Sequence, residues 1–174
     1  PVGGVTEYFW TVPVGWTITA GQGTKQITVN IGGSPGAQTV SVVTQYPTAP
    51  NCPSTARTLS VTVNPLSVGG NVTGGTTPLC VGTGTGTMTL SGYTGTIQKW
   101  QKRLNAGAWT DIVNTAATYS ETPSSSGTWE YRAEVKSGVC SSDFSSARTI
   151  VVDPTSVGGS ITGGTTPICF SSGT

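Results

Sequence analysis

The chain has 174 residues, a formal net charge of +1 and only 9% charged residues. This balance gives no electrostatic basis for binding nucleic acid or an anionic membrane, and no apolar run is long enough to span a bilayer. The absence of histidine excludes Ser/His and Cys/His catalysis and removes the commonest zinc ligand. Frequent threonine and glycine favour strands over helices. We therefore expect an all-β protein that is not an enzyme and that needs no cofactor, metal or membrane insertion.

Residues 1–65, called the N-terminal unit below, have the pattern of most of one β-sandwich. Turn-forming glycine and proline separate short segments in which apolar residues alternate. The segments are fewer than a sandwich requires, and a half sandwich exposes its inner face. We therefore expect the first strands to lie upstream of Pro1. The predicted strands are 7–12, 16–18, 26–31, 39–46 and 57–63, with Ile27, Val29 and Ile31 facing inward and with Leu59, Val61 and Val63 on one face.

Residues 66–154, called the central unit below, have the pattern of one complete immunoglobulin-like sandwich. The segment 67–80 is predicted to be an edge strand, since its glycine pairs and proline suit edges and bulges. Asn105-Ala-Gly107 has the composition of a hairpin loop. The further predicted strands are 87–91, 97–104, 109–113, 118–122, 128–135 and 147–152.

The opening segment 67–80 returns at 156–169, 89 residues later, with three positions changed. Such a period is too long for a solenoid repeat but suits a whole sandwich. Both units also close alike, with Asn64-Pro65 matching Asp153-Pro154. Residues 155–174 are then the first strand of a third, truncated unit. Because the linkers are short and contain proline, we expect tandem sandwiches in a semi-rigid rod, with neighbouring repeats as partners.

The four cysteines are too far apart for a metal knuckle or a redox motif, and indicate structural bridges in an oxidising exterior. Cys80 ends the opening segment of the central unit and Cys140 begins its closing segment, so we expect a disulfide between them. Two free buried thiols are the alternative. By the repeat, the partner of Cys52 lies upstream of the chain and that of Cys169 downstream.

Aromatic residues offer two interpretations, a sugar-stacking platform or the core. Trp100 falls in mid-strand, and Trp129 and Tyr131 lie on the apolar face of an alternating segment, which favours the core. Trp109 follows the hairpin loop and is the best candidate for partial exposure and ligand contact.

Charged residues alternate with the predicted core positions on two strands. Lys99, Gln101 and Arg103 point away from Trp100 on one of them. If the strands are neighbours, these charges pair across the outer face of the sheet, which favours solubility rather than catalysis. The partners on the second strand are Glu130, Arg132 and Glu134.

Several segments carry a family resemblance. Residues 66–174 resemble repeats in giant surface proteins of gliding Bacteroidetes, of the SprB-like adhesin type. Residues 1–64 resemble the PKD-like immunoglobulin-fold modules of the same proteins. The segments that carry the resemblance are 156–169, 90–97, 100–102, 107–112, 118–122 and 131–133, together with 8–16 for the N-terminal unit.

The resemblance implies export by the type IX secretion system, display on the outer membrane, and a role in adhesion and gliding. Our first hypothesis is therefore a non-catalytic spacer of a long cell-surface adhesin. The alternative is a carbohydrate-binding or spacer module of a secreted polysaccharide-degrading enzyme, since similar repeats accompany such enzymes. An enzyme is the weakest hypothesis, because no nucleophile–base or metal constellation is present.

Overall fold

The computed structural model describes residues 7–45, 53–164 and 170, and all regular secondary structure in them is β. This confirms the predicted fold class. The strands of the N-terminal unit are β1 Glu7–Thr11, β2 Thr17–Ala20, β3 Thr28–Asn30, β4 Gly36–Gln45 and β5 Arg57–Val63. Those of the central unit are β6 Asn71–Gly74, β7 Leu79–Cys80, β8 Met88–Ser91, β9 Thr96–Leu104, β10 Thr110–Ile112, β11 Thr118–Tyr119, β12 Gly127–Lys136, β13 Asp143–Phe144 and β14 Arg148–Asp153.

The central unit is built from two sheets. The larger sheet has the order β10-β9-β12-β14-β7, with β13 pairing to β12, and the smaller has the order β11-β8-β6. The repeated opening segment supplies the edge strand of both sheets, because β6 pairs with β8 and β7 lies beside β14. Its predicted position at an edge is therefore confirmed.

The core of the central unit lies between these sheets. Trp100 on β9 is fully buried, and its indole Nε1 donates to the carbonyl of Ala116 at 2.9 Å. Tyr131 on β12 is also fully buried, and Trp129 packs against the cluster. The core interpretation of these aromatic residues is confirmed. The other buried members are Val72, Leu79, Met88, Leu90, Ile97, Ala133, Val135, Ile150 and Val152.

Two glycines of the opening segment are required by close backbone approach. A Cβ at Gly69 would overlap the carbonyl group of Phe144. Gly70 has a φ of +74°, a conformation that glycine adopts without the strain of a side chain, and it lies against the carbonyl of Ser91. The segment thus lies close to both sheets, which explains why glycine pairs occur in it.

We expect Gly69→Ala to lower the free energy of unfolding by about 1–3 kcal/mol, because the added methyl group displaces backbone. The matched control is Gly158→Ala in the second copy, where an added Cβ has no neighbour within 4 Å. That change should stay within about 0.5 kcal/mol. Urea unfolding followed by circular dichroism measures both, and equal effects would show that the two copies do not differ in packing.

The second copy of the opening segment has a different environment. Ile161 is 100% exposed, whereas its counterpart Val72 is 5% exposed in the core. Within the part of the chain that the structure describes, this copy therefore has no sandwich around it. Cys169 lies outside the described residues.

The described residues of the N-terminal unit, 7–45 and 53–65, form two small sheets. One has the order β1-β4-β5, and the other pairs β2 with β3. Trp16 and Val40 are the buried apolar residues in these ranges. Ile31 and Leu59 are 58% and 65% exposed, but they line the same open apolar cleft of about 340 Å³ as the buried Trp16 and Val40. Their position on the apolar face of the unit agrees with the prediction, and so does the exposure of that face in the described residues.

Candidate functional surface

The outer face of the larger sheet carries a network of charged side chains on β9, β10 and β12. In the register of β9 and β12, Arg103 is opposite Glu130 and Lys99 is opposite Glu134. Arg103 Nε lies 2.7 Å from a Glu130 carboxylate oxygen, and Lys99 Nζ lies 3.4 Å from Glu134 and 2.7 Å from Asp111. The predicted pairing of charges across neighbouring strands is confirmed.

Gln101 connects the charges at the middle of this face. Its amide nitrogen donates to Asp111 at 2.7 Å, and its amide oxygen accepts from Nε of Arg132 at 2.9 Å. Hydrogen bonds from Lys99 and then from Gln101 lower the pKa of Asp111, and the bond to Asp111 raises the pKa of Lys99. The charged groups of this network therefore form their ion pairs and hydrogen bonds with other residues of the same sheet.

The candidate ligand contact Trp109 lies at the edge of this network. The guanidinium carbon of Arg132 is 4.1 Å from the centroid of the indole ring, and that of Arg103 is 4.5 Å away. Arg132 also lies 3.9 Å from the ring of Phe144. Cation–π contact of this kind stabilises by about 0.5–1 kcal/mol at exposed sites. Trp109 is half-buried, which agrees with its predicted partial exposure, and it holds two guanidinium groups in place. Its contact with a ligand stays a prediction.

Phe144 was missed by the sequence reasoning, because β13 is only two residues long. It pairs with the end of β12, where Phe144 is opposite Glu134. The only sign in the sequence is weak: Phe144 is the one aromatic residue between Cys140 and the end of the central unit. Trp109, Phe144 and the two arginines form what is called the arginine–aromatic cluster below.

A second polar cluster lies on the inner side of the sheets, around Glu121. Its carboxylate accepts hydrogen bonds from the hydroxyl of Tyr119 at 2.6 Å, from that of Tyr131 at 2.7 Å, and from Nζ of Lys102 at 2.6 Å. The backbone N–H of Glu121 donates to the buried hydroxyl of Thr85. The sequence reasoning missed this cluster. Its signal was Lys102, a cation at an inward position of β9.

The acid–base properties of this cluster follow from burial and hydrogen bonding. Burial, followed by the hydrogen bond to Glu121, raises the pKa of Tyr119 and of Tyr131 well above the ordinary 10.0. Burial also tends to raise the pKa of Glu121. Hydrogen bonds from Lys102 and the two tyrosines outweigh burial and leave that pKa below its usual value. The cluster therefore holds one carboxylate and two neutral phenols, and its groups are paired internally.

We expect the central unit to lose stability as the pH rises above 10, the ordinary tyrosine pKa. A tyrosine whose pKa is raised in the folded state stabilises the fold fully below the unfolded-state pKa. That contribution to the free energy of unfolding is lost progressively as the pH rises from the unfolded-state pKa through the folded-state pKa. Tyr119 and Tyr131 should then ionise only as the unit unfolds. An alkaline titration followed by phenolate absorbance and by circular dichroism checks this. The control is the double variant that carries Tyr119→Phe and Tyr131→Phe. Ionisation of all five tyrosines near pH 10 in the folded protein would contradict it.

The predicted Cys80–Cys140 disulfide does not form in the structure, where both thiols are free. Cys80 lies beside Asp153, at the end of the sheet where β12 begins. Cys140 follows the other end of β12. Ten residues of strand separate the ends by about 30 Å at roughly 3.3 Å per residue. A disulfide needs Cα atoms about 4.4–6.8 Å apart, so the two cannot pair within one unit. Cys52 lies outside the described residues.

Among residues 7–45, 53–164 and 170, no cluster of three or more acidic, histidine or cysteine side chains could hold a metal ion. Nor does any helix there reach the length and apolarity that crossing a membrane requires.

Comparison with known families gives a match for each of the two units. Residues 68–154, which are half of the chain, match the profile of a domain of unknown function, DUF8696. The chain belongs to this family. Residues 1–61 match a PKD-like domain, which supports the predicted immunoglobulin-like and PKD-like character of the modules. A search of curated proteins finds no match to the chain. The DUF8696 module comprises strands β6–β14 and contains both polar clusters described above.

Proposed function

We propose that this chain is a non-catalytic structural repeat segment of a large secreted cell-surface adhesin, where it acts as a semi-rigid spacer. The observation that carries the proposal is the way the charged and aromatic groups of the DUF8696 module are used. Charges on the outer face pair with one another, and four large aromatic residues lie in or against the core, namely Trp100, Tyr119, Trp129 and Tyr131. In such a module, the paired charges and the core aromatic residues already contact other residues of the protein in the absence of a ligand.

The junction between the two units supports stiffness. Ser67 accepts a hydrogen bond from the N–H of Ser137 and donates its hydroxyl to the carbonyl of Ser141 at 2.6 Å. Gly138 lies directly against the side chain of Asn64. The linker is thus held on the loop that follows β12. A linker with such contacts bends less than a free one of equal length.

The repeated segment supports serial arrangement. We propose that residues 155–174 open a third unit, in which Ile161 takes the buried place of Val72. With the resemblance to SprB-like repeats, this gives an extracellular array on the outer membrane, exported by the type IX secretion system and used in adhesion and gliding. Its partners are then the neighbouring repeats and the secretion and gliding machinery.

A specific observation favours one alternative, a carbohydrate-binding or spacer module of a secreted polysaccharide-degrading enzyme. Trp109 is half-buried, and Phe144, whose ring contacts the same Arg132 guanidinium, is 40% exposed. Exposed aromatic rings next to hydrogen-bonding groups are the usual means by which a protein surface holds a ligand through its apolar faces. The arginine–aromatic cluster is the place on this module where surface polysaccharide would bind.

A polysaccharide-binding assay on the whole chain separates the two functions. The spacer function predicts no saturable binding to a panel of bacterial and plant polysaccharides in affinity electrophoresis. Saturable binding to one polysaccharide that is lost in Trp109→Ala and kept in Tyr93→Ala, an exposed aromatic residue outside the cluster, would contradict the spacer function and support the alternative.

A further inference from the structure

The two free cysteines of the DUF8696 module lie at opposite ends of its larger sheet, and each lies at a junction. Cys140 Sγ is 3.3 Å from the carbonyl oxygen of Pro65 and 4.0 Å from that of Asn64, the residues that link the module to the preceding unit. Cys80 is exposed and is paired in register with Asp153, at the opposite end. Neither thiol faces the other across its own module.

The sequence repeat relates these two ends. Asp153-Pro154 closes the module as Asn64-Pro65 closes the unit before it. Cys140 contacts the carbonyl oxygens of Asn64 and Pro65. If the following module packs on Asp153-Pro154 in the same way, its counterpart of Cys140 contacts the carbonyl oxygens of Asp153 and Pro154. Cys80 of the preceding module already lies beside the same dipeptide. Two cysteines from successive modules therefore meet at one junction.

We propose that Cys80 forms a disulfide with the counterpart of Cys140 in the next module, so that the bridge lies between modules and not within one. This rests on the serial arrangement given above. Cys169, the counterpart of Cys80 in the next opening segment, continues the series to the module after it. A DUF8696 module that has such a module on either side is thereby bonded at both ends, and a pulling force passes through disulfides as well as through the linker.

The distances suit this bond. Cys80 and Asp153 lie on neighbouring strands, which are roughly 4.8 Å apart. Asn64 is the counterpart of Asp153 at the preceding junction, and its carbonyl oxygen is 4.0 Å from Cys140 Sγ. Both cysteines are thus placed against the same residue of the junction, and a disulfide requires their Cα atoms to lie about 4.4–6.8 Å apart. Both cysteines are at least partly accessible to an oxidant.

The oxidation proceeds by thiol–disulfide exchange with a small disulfide. The thiolate of Cys80 attacks one sulfur of the oxidant, which forms a mixed disulfide and releases one thiol. The thiolate from the next module then attacks the Cys80 sulfur of this mixed disulfide and releases the second thiol. Two protein thiols thus become one S–S bond, and the oxidant takes up both electrons and both protons as two thiols.

The test uses residues 1–155 followed directly by a second copy of residues 67–154, which reproduces the native junction spacing. The protein is equilibrated with oxidised and reduced glutathione, and its peptides are mapped by mass spectrometry without reduction. We expect a cross-linked peptide that joins Cys80 of the first copy to Cys140 of the second, with the loss of two thiols per chain. Cys80→Ser in the first copy should abolish it, whereas Cys80→Ser in the second copy should leave it unchanged.

Small-angle scattering of the same protein separates this proposal from the spacer function. An extended, rigid particle that lacks the cross-link overturns the disulfide and leaves the spacer function intact. A freely bending particle that lacks it overturns both. A cross-link between Cys80 and Cys140 of the same copy also overturns the proposal, because that bond requires the two ends of the larger sheet to meet.

Discussion

Trp100→Ala is expected to lower the free energy of unfolding of the DUF8696 module by about 4 kcal/mol, within the range of large-to-small substitutions in cores. The indole is fully buried, and its ring centroid lies 5.7 Å from that of Tyr119. Truncation leaves a cavity between the sheets and also leaves the carbonyl of Ala116 without its donor. Both effects act in the same direction, so the module should lose most of its stability.

Urea unfolding followed by circular dichroism measures this loss, with Trp109→Ala as the matched control. The control removes the same side chain from the outer face, where it contributes cation–π contacts worth about 1 kcal/mol each at most. The Trp100 variant should therefore unfold at a far lower urea concentration. Similar midpoints for the two variants would mean that Trp100 is not the centre of the core.

Glu121→Gln should have the second largest effect, with a loss of roughly 3 kcal/mol, the upper end for hydrogen bonds to a charged group. Three donors converge on the carboxylate, from Tyr119, Tyr131 and Lys102. A glutamine side chain has one acceptor oxygen, and its amide nitrogen would face donors. The substitution therefore leaves at least one donor unpaired and the lysine charge without its counter-ion.

Glu134→Gln is the control for this change, because Glu134 makes its ion pair on the outer face at the longer distance of 3.4 Å. Surface pairs of this kind contribute at most about 1 kcal/mol. The loss in the Glu121 variant should also shrink as the pH falls through the carboxylate pKa, since protonated wild-type Glu121 resembles the amide. The same loss for both variants at neutral pH would refute the special role of Glu121.

Alternation along the chain was sufficient to predict the central sandwich and much of its outer face. The pattern of 128–135 correctly placed Tyr131 inside and Arg132 outside, because side chains of a strand alternate between faces. The charges on two such strands then predicted their pairing, and the register of Arg103 opposite Glu130 confirmed it.

The features that were missed or wrong depend on contacts between distant segments. Glu121 lies just after a two-residue strand, and only the fold brings it to Lys102 and the two tyrosines. The error in pairing Cys80 with Cys140 has a similar origin. The opening strand β7 does run beside the closing strand β14, but Cys80 lies at the end of β14 and Cys140 lies beyond the end of β12 that is farthest from it. Alternation predicts which face a residue takes and not which end of the sheet it reaches.

The central claim is that sandwiches fold individually and are joined in series. The most direct test compares the amide spectrum of isotopically labelled residues 64–155 alone with that of the whole chain. The amide shifts of the core strands β9, β12 and β14 should coincide, and the isolated unit should unfold cooperatively at the same urea concentration as in the whole chain. A collapsed, poorly dispersed spectrum of residues 64–155, or core shifts that differ from those of the whole chain, would contradict the claim.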